Sequence, residues 1–297
     1  MKYFKIFALT LLYIFIYMFF MLFTQVVFGL TIGGAGREII DSVRQGAQPD
    51  SAALQEIADH VLTRLNDYLR KNTGIIYSIS ALISLLAFIR IYKMRRIELF
   101  PAIQMKGMPS TADMRQAIFT GASANFIVVM LMTALQSTNL LNEAFARYES
   151  YVDFTFGTGG LPATLLGFAF IAPLVEEILF RGMITRELKG GFPLTAAIII
   201  QGVLFGLFHL EPIQIIYAIP LGIYLGFIAY KSSSLWPAIA AHASMNFVSV
   251  IIQTPGLQSA FQNNAGFVLF FAGTSVFLFI YSLTYFIKKK PAQIAPE

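Results

Sequence analysis

Apolar residues run in long stretches along this chain, and polar residues gather between them. A helix needs about 20 mainly apolar residues to cross the hydrocarbon core of a bilayer. Eight stretches approach that length: 4–30, 74–92, 117–136, 161–188, 193–211, 213–230, 236–253 and 266–287. The pattern predicts an all-α, polytopic transmembrane helical bundle of about eight spans. The first stretch follows Lys2 and Lys5, as a signal peptide would. It is much longer than a secretory h-region of about 7–15 residues, so it reads as an uncleaved span. The longest polar segment is 31–73. Within it Leu54, Ile57, Ala58, Val61, Leu62, Leu65 and Leu69 recur at helical spacing. That spacing predicts an amphipathic helix from Asp50 to Lys71 on the outer surface or capping the bundle. Gly202-x-x-x-Gly206 and Gly222-x-x-x-Gly226 predict close helix–helix approach. The chain divides into an N-terminal membrane extension (1–160), a core (161–253), and a last span with a basic tail (254–297).

Composition supports the membrane reading. Of 297 residues, 57% are hydrophobic and 12% charged, with a mean hydropathy of +0.68; soluble domains carry about a quarter charged residues. The absence of cysteine excludes a disulfide framework, a thiolate nucleophile and a cysteine-ligated metal. The formal charge of +5 does not indicate nucleic acid, because the basic residues sit beside apolar spans, as topogenic charges do. With the N-terminus inside, the cytoplasmic side collects Lys2, Lys5, Arg90, Lys93, Arg95, Arg96, Lys106, Arg115, Arg186, Lys189, Lys231 and Lys288–Lys290. The other side receives Arg37, Arg44, Arg64, Arg70, Lys71 and Arg147, mostly offset by acidic residues of the 31–73 loop. Both termini are therefore expected in the cytoplasm.

A charge at mid-bilayer costs at least about 2.5–3.5 kcal/mol, so ionisable groups within spans default to function. Here they cluster between 170 and 250. Glu177 and Arg181 are at i and i+4, in the favourable acid-before-base order. Glu176 is turned about 100° from Glu177, so that pair does not satisfy it. Pro173 removes a backbone N–H one turn earlier and predicts a kink there. His209 follows on the next span; His242 and Asn246, again i and i+4, share one face of a later one. At about 1.5 Å per residue, Glu176 lies about 18–20 Å from the turn at 190–191 and His209 about 24 Å from Pro193. These depths place the two together, in a site expected to open toward the cytoplasm.

A carboxylate beside two imidazoles suits two related chemistries. Without a metal, Glu176 is a general base for water, His209 orients that water, and His242 and Asn246 donate hydrogen bonds to the oxyanion. With a metal, Glu176, His209 and His242 hold Zn²⁺, which lowers the pKa of a bound water to about 7. Both end in peptide hydrolysis. No H-E-x-x-H, no aspartate inside a span and no Gly-x-Ser-x-Gly occurs. Two other classes fit the same residues: a non-catalytic membrane protein that binds peptides or confers bacteriocin immunity, and an ion-coupled transporter. Transporters of that kind often carry inverted repeats, and the chain has no convincing repeat.

Glu176-Glu177-Ile-Leu-Phe-Arg181, Phe205-Gly-Leu-Phe-His209 and His242-Ala-Ser-Met-Asn246 together resemble the CPBP intramembrane proteases. That family includes CAAX prenyl endoproteases and bacteriocin-processing enzymes. The resemblance covers about 161–250 and implies an intramembrane endopeptidase, metallo- or glutamate-dependent. It gives the catalytic carboxylate to Glu176, the supporting pair to Glu177 and Arg181, and the remaining motif positions to His209, His242 and Asn246. The expected partners are the lipid bilayer and a membrane-associated peptide or protein substrate, with no nucleic acid. The expected location is a bacterial plasma membrane, where leader peptides or bacteriocins are more plausible substrates than prenylated CAAX proteins.

Overall fold

The computed structural model describes residues 2–32, 51–105, 107–156 and 159–291, with Gly34, Arg37 and Asp41 between the first two segments. Among them, regular structure is helical and no strand forms. The helices are α1 (Lys2–Val27), α2 (Ser51–Met94), α3 (Thr111–Gln136), α4 (Asn142–Phe156), α5 (Leu161–Lys189), α6 (Leu194–Phe208), α7 (Pro212–Ser232), α8 (Trp236–Ile252), α9 (Pro255–Asn263) and α10 (Ala265–Lys288). Their starts follow local chemistry. Ser110 accepts a hydrogen bond from the Asp113 N–H at 3.0 Å, and Asn264 from the Phe267 N–H at 3.0 Å. Proline stands in the first turn of α7, α8 and α9, where its missing N–H has no intrahelical partner to lose.

Among the described residues, six helices are long and apolar enough to cross a membrane: α1, α2, α3, α5, α7 and α10. The other two predicted spans correspond to α6 and α8, apolar helices of 15 and 17 residues. The chain is a multi-pass integral membrane protein.

One expected boundary is absent. The amphipathic stretch and the span predicted at 74–92 form a single helix, α2, of 44 residues. The change from polar to apolar near Thr73 alters what the helix faces but does not break it. The Thr73 hydroxyl donates back to the Leu69 carbonyl at 2.6 Å, and Gly74 lies against the α5 backbone at Ala163 and Gly167. The Leu54 and Ile57 side chains and most of 33–50 lie outside the described residues.

α5 runs through the centre of the bundle. Val175, Ile178, Leu179 and Phe180 are fully buried, and α1, α2, α6, α7 and α8 all pack against this helix. α6 and α7 approach as the glycine spacings predict: a Cβ on Gly222 would stand 2.9 Å from the Gly202 carbonyl oxygen. We therefore expect Gly222→Val to destabilise the bundle by about 1–3 kcal/mol through overpacking, lowering the thermal midpoint in detergent. Gly273→Ala on α10, where a Cβ meets nothing within 4 Å, is expected to leave the midpoint unchanged or raise it slightly.

Candidate active site

The middle of α5 is not a regular α-helix. Wide π turns at Leu165–Ile171 and Ile178–Ile184 flank an α segment, Ala172–Glu177. Such bulges are frequent at functional sites, and here the cause of the first can be followed atom by atom. The Ala172 N–H reaches back to the Gly167 carbonyl, and Pro173 has no N–H to offer. The Phe168 carbonyl instead accepts from Asn246 Nδ2 on α8 at 2.9 Å. Asn246 thus completes the backbone of the helix that carries Glu176. In the second π turn the Thr185 hydroxyl donates to the Phe180 carbonyl at 2.8 Å.

The two adjacent glutamates face different surroundings, as their angular separation requires. Glu177 is completely buried, and its Oε1 accepts from Arg181 Nη1 at 2.7 Å and from His242 Nδ1 at 2.8 Å. Arg181 Nη2 donates to the Gly222 carbonyl at 3.1 Å, an oxygen shared with Gln201 Nε2 at 2.9 Å. Its guanidinium also lies 4.2 Å from the centre of the Phe205 ring. One carboxylate therefore ties α5 to α7 and α8 and fixes the His242 ring.

Because Nδ1–H of His242 is committed to Glu177, its Nε2 points the other way and stands 3.9 Å from Glu176 Oε2. Glu176 is 13% exposed, and it lines a cavity of about 1200 Å³. His209 follows the last residue of α6, and its Nδ1–H donates to the Phe205 carbonyl at 2.8 Å, which leaves Nε2 available. The chain turns sharply after it. Leu210 has φ +62°, and the Glu211 N–H closes a tight ring on the His209 carbonyl at 2.7 Å. A leucine in that left-handed region carries backbone strain of order 1–3 kcal/mol. The edges of both imidazoles meet the Phe205 ring, at centroid distances of 4.8 Å for His209 and 5.6 Å for His242. Glu176, His209, His242 and Asn246 all line the same cavity, whereas Arg181 and Glu177 lie behind it.

Sequence reasoning passed over the contribution of 1–160. The Tyr17 hydroxyl, on α1, donates to Glu176 Oε1 at 3.5 Å, and Tyr77 of α2 and Asn125 of α3 line the same cavity. One turn before Tyr17, the Tyr13 hydroxyl donates to Glu187 at 3.3 Å beside the Arg95–Glu187 ion pair. That contact sets the height of α1 against α5. The available signal was the i, i+4 pair of tyrosines on one face of an otherwise aliphatic and phenylalanine-rich span. Tyr148 and Tyr151 of α4 wall the far part of the cavity; burial raises both hydroxyls above their ordinary pKa, so they remain protonated donors at neutral pH.

The cavity does not run toward the end of the bundle that carries Lys2 and Lys289. It runs the other way, past Gln25, Gln136, Asp153 and Gln258. Counting residues gives the depth of a side chain but not which end of the bundle is hollow. Among the described residues, no group of three or more His, Cys, Asp or Glu is placed to hold a metal ion. Glu176 and His242 Nε2 stand 3.9 Å apart, and His209 lines the same cavity.

Residues 158–248 match the family model described as "Type II CAAX prenyl endopeptidase Rce1-like". Over 93 residues, 31% of its length, the chain is 28% identical to a Bacillus subtilis (strain 168) protein named "Putative membrane peptidase YdiL". The aligned stretch is 38% of that relative's own length, well under two thirds of it. No solved structure matches the chain. Glu176, Glu177, Arg181, His209, His242 and Asn246 all fall inside the matched stretch, so the similarity to the Rce1-like CAAX prenyl endopeptidases covers the residues that line or support the cavity.

Proposed function

We propose that the chain is an intramembrane endopeptidase that hydrolyses peptide bonds of membrane-associated peptides with a water activated by Glu176. One observation carries this reading: of two adjacent glutamates, one is buried and bound by Arg181 and His242, while the other faces a large cavity with His242 Nε2 3.9 Å away and His209 on the same cavity wall. Packing alone has no use for the second carboxylate. The proposal includes eight membrane crossings, with α6 and α8 as the two short ones, and both termini in the cytoplasm.

In this mechanism Glu176 takes a proton from water as the water oxygen bonds to the scissile carbonyl carbon. His209 orients the water, because Nδ1–H is held by the Phe205 carbonyl and Nε2 is left as an acceptor. The carbonyl becomes an oxyanion that accepts from His242 Nε2 in its imidazolium form, a ring held in place by Glu177. Breaking the C–N bond returns the proton from Glu176 to the departing amine. Asn246 acts mainly by holding the Phe168 carbonyl and hence the π turn before Glu176. Tyr17 steadies the Glu176 carboxylate from the other side.

The test is cleavage of membrane-associated peptides by the detergent-purified protein. Replacing Glu176 with Gln or Ala is expected to lower the rate by about 10²–10⁴-fold, the usual contribution of a positioned general base, while leaving the fold intact. Chelators are expected to have no effect; loss of cleavage with chelator and recovery with Zn²⁺ would replace the water-only mechanism with the metal one. A folded wild type that binds peptides but cuts none would put the peptide-binding reading in place of the enzyme.

The supporting pair should behave differently. Removing one partner of a buried ion pair costs about 3–5 kcal/mol, so Arg181→Leu is expected to lower the thermal midpoint far more than Glu176→Gln. The double variant Glu177→Leu/Arg181→Leu should recover part of that stability but not cleavage, since His242 has lost its anchor. Equal midpoints for the single and double variants would remove the pairing argument. Tyr17→Phe is expected to keep the fold and reduce kcat more than it changes KM.

A further inference from the structure

The contacts between helices identify the two ends of the bundle. At the end with both termini, the Tyr3 ring meets Phe192 at 5.4 Å, the Leu235 N–H donates to the Gln104 carbonyl at 3.2 Å, and Lys289 pairs with Asp113 at 3.0 Å. At the other end Arg70 pairs with Asp153 at 2.7 Å, and Gln136 bonds Glu149 at 2.9 Å. Charge is divided unevenly between them. The connections at the terminal end carry Lys93, Arg95, Arg96, Lys189 and Lys231, and Lys2, Lys5 and Lys288–Lys290 add to that end. Across the α3–α5 connection at the other end, Arg147 is outnumbered by Glu143, Glu149 and Asp153, and Glu211 stands in the turn before α7. Short connections rich in Lys and Arg stay in the cytoplasm, which puts the terminal end inside.

The cavity is at the opposite end, for a reason of length. α6 and α8 both start at the terminal end, at Leu194 and Trp236, and have 15 and 17 residues. Helices that short rise only about 22–26 Å, less than the ~30 Å hydrocarbon core. They stop before the far surface, and the cavity fills the layer they leave. It is lined by the distal parts of α1, α3 and α8 and by α4 and α9; no described residue of the connections 95–110, 190–193 or 233–235 takes part in its wall.

We propose that the cavity holding Glu176 opens on the extracytoplasmic face, and that its substrate is a peptide segment presented from outside, on the outer side of a membrane-bound chain. A cytoplasmic lipidated tail would meet the closed, basic end of the bundle. The sidedness stands on charge and helix length alone; the substrate class also rests on the peptidase reading above.

The absence of cysteine gives a direct test. Leu140, 78% exposed in the turn between α3 and α4, and Met108, 95% exposed at the terminal end, would each be replaced by Cys in the full chain. Whole cells would then be treated with a membrane-impermeant maleimide. The expected result is labelling of L140C in intact cells and of M108C only after permeabilisation. The reverse pattern, or labelling of both from outside, overturns the proposal. In a second arm, a membrane-anchored reporter peptide is displayed on either face, with Glu176→Ala as control. Glu176-dependent cutting of the outer reporter alone supports the proposal, and Glu176-dependent cutting of the inner one overturns it. If labelling shows the expected sides and neither reporter is cut, the outward opening stands and the peptidase reading is what fails.

Discussion

A membrane interior tolerates charge only where charge is answered, and the Glu177 carboxylate is where this molecule meets that requirement. It receives Arg181 from its own helix and His242 from α8, while Arg181 reaches the Gly222 carbonyl of α7. Buried ion pairs are weak evidence of net stabilisation, because desolvation offsets much of their attraction. What this one supplies is position. It sets the separation of three helices, and it holds one nitrogen of His242 so that the other faces Glu176. Glu177 takes up the nearby cation, and Glu176 faces the cavity.

The irregularities of α5 serve the same end. A helix in lipid must satisfy its own backbone groups, yet α5 has two π turns and an internal proline. At Phe168, whose carbonyl finds no N–H at Pro173, the Asn246 side chain of α8 makes up the difference. The four-residue interval between His242 and Asn246 then has a physical meaning. It lets one face of α8 orient a ring below Glu176 and complete the backbone one π turn above it.

Much of this was legible in the sequence. The apolar runs are long enough to stand out, and Glu176, Glu177, Arg181, His209, His242 and Asn246 draw notice because ionisable and amide groups are costly in lipid. The i, i+4 relation of Glu177 and Arg181, and the turning away of Glu176, follow from helix geometry alone. Three features were not legible. Tyr17 resembles any aromatic residue of a span until the Tyr13–Glu187 contact fixes the height of α1. The continuity of α2 was hidden because polarity changes at Thr73 while helicity does not. The hollow end escaped notice because the run 193–211 reads as longer than α6 is, and because residue counts do not say which end of the bundle a short helix leaves uncovered.

The matched stretch, 158–248, holds Glu176, His209, His242 and Asn246 but does not by itself enclose them. Tyr17, Tyr77 and Asn125 come from three helices that precede it, and α4 supplies the tyrosines of the far wall. A water-activating carboxylate needs restricted solvent and fixed dipoles around it, and here half of that enclosure comes from residues outside the matched stretch. The chemistry and the selectivity of the site are therefore carried by different parts of the chain. Under the proposed mechanism, substitutions in the first 160 residues would change which peptide reaches Glu176 without altering its role, since the ion cluster behind it is built within α5, α6, α7 and α8.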